Sequence, residues 1–153
     1  MATTKEEILA GLAKAYNLEI ETVANYLANS LHMDGVRADF VKQALAADIQ
    51  GELGHAQQLG NRIKQLGGKI PGSMQLKMTQ ASLQPPDDTT DIVAVIRGVL
   101  EAEEEAIQHY NALIKLCDGV DYVTQDLAIT ILAEEEGHRQ QFQGYLKEYA
   151  KLG

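Results

Sequence analysis

The segments Glu52–Leu59 (ELGHAQQL) and Glu135–Phe142 (EEGHRQQF) are nearly the same sequence written twice, once in each half of the chain. Both begin with Glu, carry Gly at the third position and His at the fourth, and end in two Gln followed by a large apolar residue. Residues three apart lie on the same face of a helix. Each segment therefore predicts a carboxylate and an imidazole side by side on one helix face.

The repeat extends well beyond these two segments. Glu19 precedes Glu52 by almost the same interval as Glu103 precedes Glu135. A tyrosine follows each upstream glutamate at the same distance, at Tyr26 and Tyr110. Because that distance is two helical turns, each tyrosine shares the inward face of its glutamate. The chain thus reads as two similar halves, each with Glu and Tyr on one helix and Glu-x-Gly-His on the next.

Apolar residues recur at steps of three and four throughout the chain, which is typical of amphipathic helices. Asp34-Gly35, Gly67-Gly68 and Asp118-Gly119 follow three of the helical segments, as expected for glycine after a helix C-terminus. We predict a single all-α domain over residues 1–153. Its four helices are expected at about residues 4–34, 37–66, 89–118 and 121–151.

The predicted connections differ greatly in length. Tight turns join helix one to helix two and helix three to helix four, which favours two antiparallel hairpins. A linker at about residues 67–88 separates the hairpins and could reach about 65 Å when extended, enough to run the length of the bundle. The sequence therefore predicts a four-helix bundle of two hairpins joined by a long crossover. Within the crossover, SMQLKMTQASL is expected to form a short helix.

The amino-acid composition excludes several classes of function. The net charge of −9 argues against non-specific binding of nucleic acid, which needs a basic face. A single cysteine, Cys117, excludes an internal disulfide framework and a four-cysteine metal centre. The sequence shows neither a secretory leader nor an apolar run long enough to span a bilayer. We therefore expect a cytoplasmic protein that contacts no membrane.

The apolar stripe of each helix is interrupted near its middle by glutamate, and two stripes also contain histidine. Charged residues at core positions are costly unless they are paired or bound to metal. One Glu from each of two helices, with Glu-x-x-His from each of the other two, is the ligand set for two metal ions in a four-helix bundle. The predicted ligands are Glu19, Glu52, His55, Glu103, Glu135 and His138.

The charges of such a set balance, because four carboxylates carry −4 and two divalent cations carry +4. Carboxylate and imidazole donors without soft sulfur favour Fe, Mn or Zn. The competing interpretation is a buried polar network without metal. Glu104 is the nearest competitor of Glu103, whereas Glu21 lies off the stripe and is expected to be solvated. His32 and His109 fall outside the pattern.

Tyr26 and Tyr110 are expected to lie beside the ligands, each donating its hydroxyl to a glutamate across the bundle. Their alternative role is core packing with an incidental hydrogen bond. For Gly54 and Gly137, which occupy the same position in the two repeats, the hypothesis is that a missing side chain lets a neighbouring helix or a ligand approach closely. Alanine at either position should then weaken metal binding.

The order E…ExxH…E…ExxH and the fourth-helix EEGH resemble the ferritin-like superfamily, with bacterioferritins and rubrerythrin-type proteins nearest. The resemblance covers essentially all four helices. It implies a di-iron site in which Glu52 and Glu135 bridge the two ions. It also implies terminal carboxylates and one histidine cap for each iron, from Glu19, Glu103, His55 and His138.

This sequence differs from bacterioferritins and rubrerythrins in three respects. Leu53 stands where bacterioferritins have their haem-ligating methionine, so no haem is expected. The sequence continues only briefly beyond His138, so the short fifth helix of 24-subunit cages is expected to be missing. One cysteine cannot supply the rubredoxin-like module of rubrerythrins. What remains resembles bacterioferritin-like miniferritins with the site inside one subunit, or a smaller non-cage relative.

The resemblance implies a ferroxidase that binds two Fe ions per subunit and oxidises Fe(II) with O2 or H2O2, for iron storage or detoxification. The alternative is a peroxide-reducing enzyme of the rubrerythrin type, or a di-manganese catalase, without storage. A homo-oligomer is expected in either case, as a dimer or a miniferritin-like cage.

Overall fold

A computed structural model describes residues 3–152 of the chain. Four long helices account for most of them, and no strand occurs within this range. The bounds of the helices are α1 Thr3–His32, α2 Ala38–Gln65, α3 Ile92–Cys117 and α4 Tyr122–Leu152. The all-α prediction is therefore confirmed, and each helix begins and ends within a few residues of its expected bounds.

The helix ends follow from local chemistry. Gly35 and Gly119 adopt positive φ angles in the two tight turns, a backbone region that favours glycine. Helix α3 begins slightly later than predicted, because the Asp91 side chain accepts a hydrogen bond from the backbone N–H of Ala94 at 3.1 Å and caps the helix. Asp121 caps α4 in the same way through the N–H of Thr124 at 3.0 Å.

The helices form two hairpins, α1 with α2 and α3 with α4, that pack against each other through α1 and α3. The backbone N–H of Asp34 donates to Thr89 O at 2.9 Å, which places the start of α3 beside the end of α1. Arg37 donates to Tyr149 O at 2.7 Å, so α4 also ends there. Helices α1 and α4 therefore run in one direction and α2 and α3 in the other. The α2–α4 seam is the more loosely packed one.

The crossover, residues 66–91, returns along α1 and is held by a polar row on that helix. Four side chains at steps of four bind crossover groups: Asn17, Glu21, Asn25 and Asn29. Within this row, the Gln80 N–H donates to Glu21 at 2.5 Å, and Glu21 is only 2% exposed. The prediction that Glu21 is solvated is therefore wrong. The expected crossover helix is also reduced to a single 3₁₀ turn, Ser73–Gln75.

Two apolar clusters fill the ends of the bundle and leave a polar layer between them. Leu45, Val99 and Phe142 belong to the cluster near the α1–α2 turn. Leu12 and Ile131 belong to the one at the opposite end. All are buried, so the layer between them is shielded from solvent along the bundle axis. None of the helices within residues 3–152 combines the length and apolarity needed to cross a bilayer.

Candidate metal centre

The polar layer at the middle of the bundle contains all six residues singled out in the sequence. Helix α1 supplies Glu19, α2 supplies Glu52 and His55, α3 supplies Glu103, and α4 supplies Glu135 and His138. The first five are between 1% and 4% exposed, while the side chain of His138 is 20% exposed. The pattern that occurs once in each half of the chain thus brings together one Glu from each of two helices and a Glu/His pair from each of the other two.

These side chains form two overlapping groups. The first consists of Glu19, Glu52, His55 and Glu135, and the second of Glu52, Glu103, Glu135 and His138. In each group, one ligand atom per residue lies within 4.8 Å of every other, and both groups share Glu52 and Glu135. Two carboxylates common to two adjacent groups can bridge a pair of cations.

The hydrogen-bonding state of these atoms fits a cation better than a closed polar network. Every one of the six residues has a buried nitrogen or oxygen with no hydrogen-bond partner. An unpaired buried polar atom costs about 1–3 kcal/mol. Six such atoms within one buried layer would be expensive, and two divalent cations would satisfy them together. The donor set of carboxylate and imidazole suits iron, manganese and zinc.

Two buried tyrosines link opposite hairpins at this layer. The Tyr26 hydroxyl donates to Glu103 at 2.7 Å, and the Tyr110 hydroxyl donates to Glu19 at 2.6 Å. Both expected hydrogen bonds across the bundle are therefore present. Burial, with the nearby carboxylates, raises the pKa of each tyrosine well above its usual value. Both hydroxyls stay protonated and can donate to the glutamates at neutral pH.

The crowding of carboxylates also changes their protonation in the metal-free protein. Burial raises the pKa of Glu52 to about 8, and repulsion from Glu19 adds to the rise. Burial and the interaction with Glu135 raise the pKa of Glu103 as well. Burial lowers the pKa of His55, but the negative charges of the nearby Glu135, Glu19 and Glu52 carboxylates outweigh it and raise the pKa overall. The folded cluster therefore retains protons that the unfolded chain releases.

A pH dependence of stability follows. Because the folded state binds more protons than the unfolded state, the unfolding free energy of metal-free protein should fall as pH rises. For Glu52 the fall begins near an unfolded pKa of about 4.5 and continues to about 8. Thermal melts in the presence of chelator, from about pH 5 to about pH 8, test this. Glu52→Gln, which cannot ionise, should melt with a weaker pH dependence; an equal dependence in both proteins would contradict the assignment.

The structure resolves the choice between Glu103 and Glu104 that the sequence left open. Glu103 is buried in the cluster, whereas its neighbour Glu104 is exposed and accepts a hydrogen bond from Arg139 at 3.0 Å. His32 and His109 lie away from the cluster, with ring nitrogens 3.0 Å from Pro86 O and 2.8 Å from Gly11 O.

Two further acidic residues lie at the cluster and were missed in the sequence. Glu134 contacts Nε2 of His55, and Asp48 lies 3.9 Å from Nε2 of His138. Asp48 could have been suspected, because it lies one helical turn before Glu52 on the same stripe. Glu134 carries no such signal, since it stands in a run of three glutamates and lies off the inward face.

The helix-approach hypothesis for Gly54 and Gly137 is wrong. A Cβ added at either position would meet no atom within 4 Å apart from its own immediate helix surroundings. No neighbouring helix of the described chain therefore requires glycine at these positions.

Alanine at these positions should instead stabilise the chain. Gly54→Ala and Gly137→Ala are each expected to raise the unfolding free energy of metal-free protein by roughly 1 kcal/mol, through helix propensity alone. Urea denaturation measures the effect. A loss of stability in either variant would indicate a close contact with something other than the chain described here.

Comparisons with known proteins support the same architecture. A family model described as a ferritin-like domain matches residues 9–152. The "DNA protection during starvation protein" of Pyrococcus furiosus is 30% identical over 144 residues, covering 92% of this chain and 77% of that protein.

Two solved structures share the fold. A ferritin-like, diiron-carboxylate protein from Bacillus anthracis superimposes with a TM-score of 0.82 at 22% identity, covering 95% of this chain and 99% of that one. The dodecameric thioferritin of Bacteroides fragilis, a bacterioferritin-related protein, gives a TM-score of 0.81 at 27% identity, covering 97% of this chain and 89% of that one.

Proposed function

The chain belongs to the ferritin-like domain family, and on that premise we propose that it is a ferroxidase that binds two iron ions per subunit. The observation that carries the proposal is the pair of overlapping ligand groups that share Glu52 and Glu135. Four carboxylates can neutralise two divalent cations, and every one of the six side chains has a buried atom without a hydrogen-bond partner.

Each residue has a role in the proposed reaction. Glu52 and Glu135, which belong to both ligand groups, would hold both Fe(II) ions. Glu19 and His55 would complete the binding of one ion, and Glu103 and His138 that of the other. The two Fe(II) substrates supply two electrons, which with two protons reduce O2 to H2O2, or H2O2 to two molecules of water. The apolar clusters on either side shield the site from bulk water along the bundle axis.

The biological use that we propose is removal of Fe(II) and oxidant, with storage of the Fe(III) formed. The Pyrococcus furiosus relative is named for DNA protection during starvation. With a net charge of −9, this chain would protect by consuming Fe(II) and peroxide and not by coating nucleic acid. Since the Bacteroides fragilis relative is dodecameric, a homo-oligomeric cage is proposed here as well.

Aerobic addition of Fe(II) tests the function directly. We expect oxidation much faster than in protein-free buffer, and retention of far more than two iron ions per chain. Iron is counted after gel filtration, the oxidant consumed is measured with an oxygen electrode, and the native mass gives the subunit number. Retention limited to two irons per chain would contradict storage, and oxidation no faster than in buffer would contradict the ferroxidase.

A second candidate, a peroxide reductase without storage, would use the same site. The hydroxyls of Tyr26 and Tyr110 lie 2.7 Å and 2.6 Å from carboxylates of opposite halves of the site. Each half thus has a protonated group in hydrogen-bond contact, and reduction of peroxide to water consumes two protons. Rapid peroxide consumption with only two irons retained per chain, as a dimer, would support this candidate over storage.

A further inference from the structure

Glu134 has an unusual position for a surface residue. Its side chain is 55% exposed, yet its carboxylate contacts Nε2 of His55, whose side chain is only 5% exposed. The contact crosses the loosely packed seam from α4 to α2. A solvent-exposed group of one hairpin therefore touches a buried group of the other.

The opposite nitrogen of the same ring points into the cluster. Nδ1 of His55 has no hydrogen-bond partner and lies 3.3 Å from Glu135 and 3.4 Å from Glu19. The ring is thus held at Nε2 from outside while Nδ1 faces the proposed cation. Histidines that bind metal commonly donate their second ring N–H to a carboxylate, which selects the tautomer and the ring orientation.

His138 has no contact equivalent to the one between Glu134 and Nε2 of His55. Its Nδ1 also faces the cluster, 3.5 Å from Glu52. Its Nε2, however, lies 3.9 Å from the nearest Asp48 oxygen, which is beyond hydrogen-bond distance. The His138 side chain is also 20% exposed, against 5% for His55, so neighbouring atoms cover less of it. The two halves of the site are therefore held with unequal rigidity.

We propose that Glu134 is a positioning residue for His55, and that the group of Glu19, Glu52, His55 and Glu135 consequently takes its cation before the other group does. The proposal rests on the metal centre proposed above. A ring already aimed at the cation loses less orientational freedom on binding, which strengthens binding without any new contact to the metal.

Three variants separate orientation from charge. Glu134→Ala removes both the acceptor and one negative charge, whereas Glu134→Gln removes the charge but keeps a carbonyl that can accept the Nε2–H. Glu136→Ala is the matched control, because it removes one charge from a nearby exposed position on the same helix. Both positions are at the surface, so folding should be preserved, and circular dichroism checks this.

Cobalt(II) is the probe, added to metal-free protein and followed by calorimetry and visible absorbance. We expect Glu134→Ala to weaken binding of the first ion by about tenfold or more. Glu134→Gln and Glu136→Ala should stay close to the wild-type affinity. In ¹H–¹⁵N spectra of the imidazole rings in metal-free protein, His55 should show one fixed tautomer, which Glu134→Ala disturbs and Glu134→Gln preserves.

The results that would overturn the positioning role of Glu134 differ from the result that would show that the protein binds no metal at this site. Equal weakening by Glu134→Ala and Glu134→Gln would show an effect of charge alone and would overturn the positioning role. If Glu134→Ala binds two cobalt ions with wild-type affinity, the positioning role is also overturned, whereas the proposed metal centre stands. If the wild-type protein binds no cobalt, both the positioning role of Glu134 and the proposed metal centre are overturned.

Discussion

Replacing Glu52 by alanine, together with His138→Ala, is expected to abolish rapid oxidation of Fe(II). Glu52 belongs to both ligand groups, so its loss removes a donor from each proposed ion at once. Even partners outside the ligand set cost about 10–100-fold when they are removed, so loss of a shared ligand should lower the rate by about 100-fold or more. The appearance of Fe(III) absorbance after mixing Fe(II) with aerobic protein gives the rate.

Glu104→Ala is the matched control for this experiment. Glu104 is exposed, lies next to the buried Glu103 and is paired with Arg139, so its replacement should leave the oxidation rate near wild type. Glu103→Ala, one position away, should be impaired. Undiminished oxidation in the Glu52/His138 double variant would defeat the proposed site, and equal effects at positions 103 and 104 would defeat the assignment on α3.

Replacing Gly98 by alanine is expected to give the largest loss of stability among single substitutions of glycine within the helices. A Cβ at this position would clash with the Ser82 carbonyl oxygen and lie 3.3 Å from the Leu83 Cα, both of them backbone atoms of the crossover. The crossover cannot easily retreat, because Leu83 is buried and its carbonyl accepts a hydrogen bond from Asn29 at 2.9 Å.

Overpacking costs about 1–3 kcal/mol, and we expect about 3 kcal/mol here because the added Cβ meets backbone atoms and not a flexible side chain. In a chain of this length, that corresponds to a decrease in melting temperature of roughly 6–12 °C. Differential scanning calorimetry of metal-free protein measures it. Gly144→Ala, where the added Cβ meets nothing within 4 Å, serves as the control and should be neutral or stabilising. A Gly98→Ala protein as stable as wild type would show that the crossover is not held against α3.

Much of the fold could be predicted from the sequence, because the signals are local and repeated. Apolar steps of three and four define helices without knowledge of their partners, and glycines with positive φ follow α1 and α3, at Gly35 and Gly119. Helix α3 begins at Ile92 and not near residue 89, because its cap is Asp91 and not the earlier Asp87 or Asp88. Capping depends on which carboxylate reaches a free N–H, and several candidates were adjacent in the sequence.

The six residues of the site could be selected for a related reason. Each lies on an apolar stripe, and a charge there must find a partner once the helix is buried. The duplicated spacing then paired the two halves of the chain, and the structure brings all six residues into one polar layer. Spacing alone could not choose between Glu103 and Glu104, since rotation by one residue decides which side chain is buried.

The four helices, their hairpin connections and the side chains at the centre of the bundle could all be predicted from the amino-acid sequence. Four features depend on the folded chain: the path of the crossover, the burial of Glu21 beneath it, the contact between Glu134 and His55, and the open surroundings of Gly54 and Gly137. Helix periodicity is a property of neighbouring residues, so it can be read along the chain. Contacts between segments that are far apart in the sequence depend on how the helices pack, which periodicity does not encode.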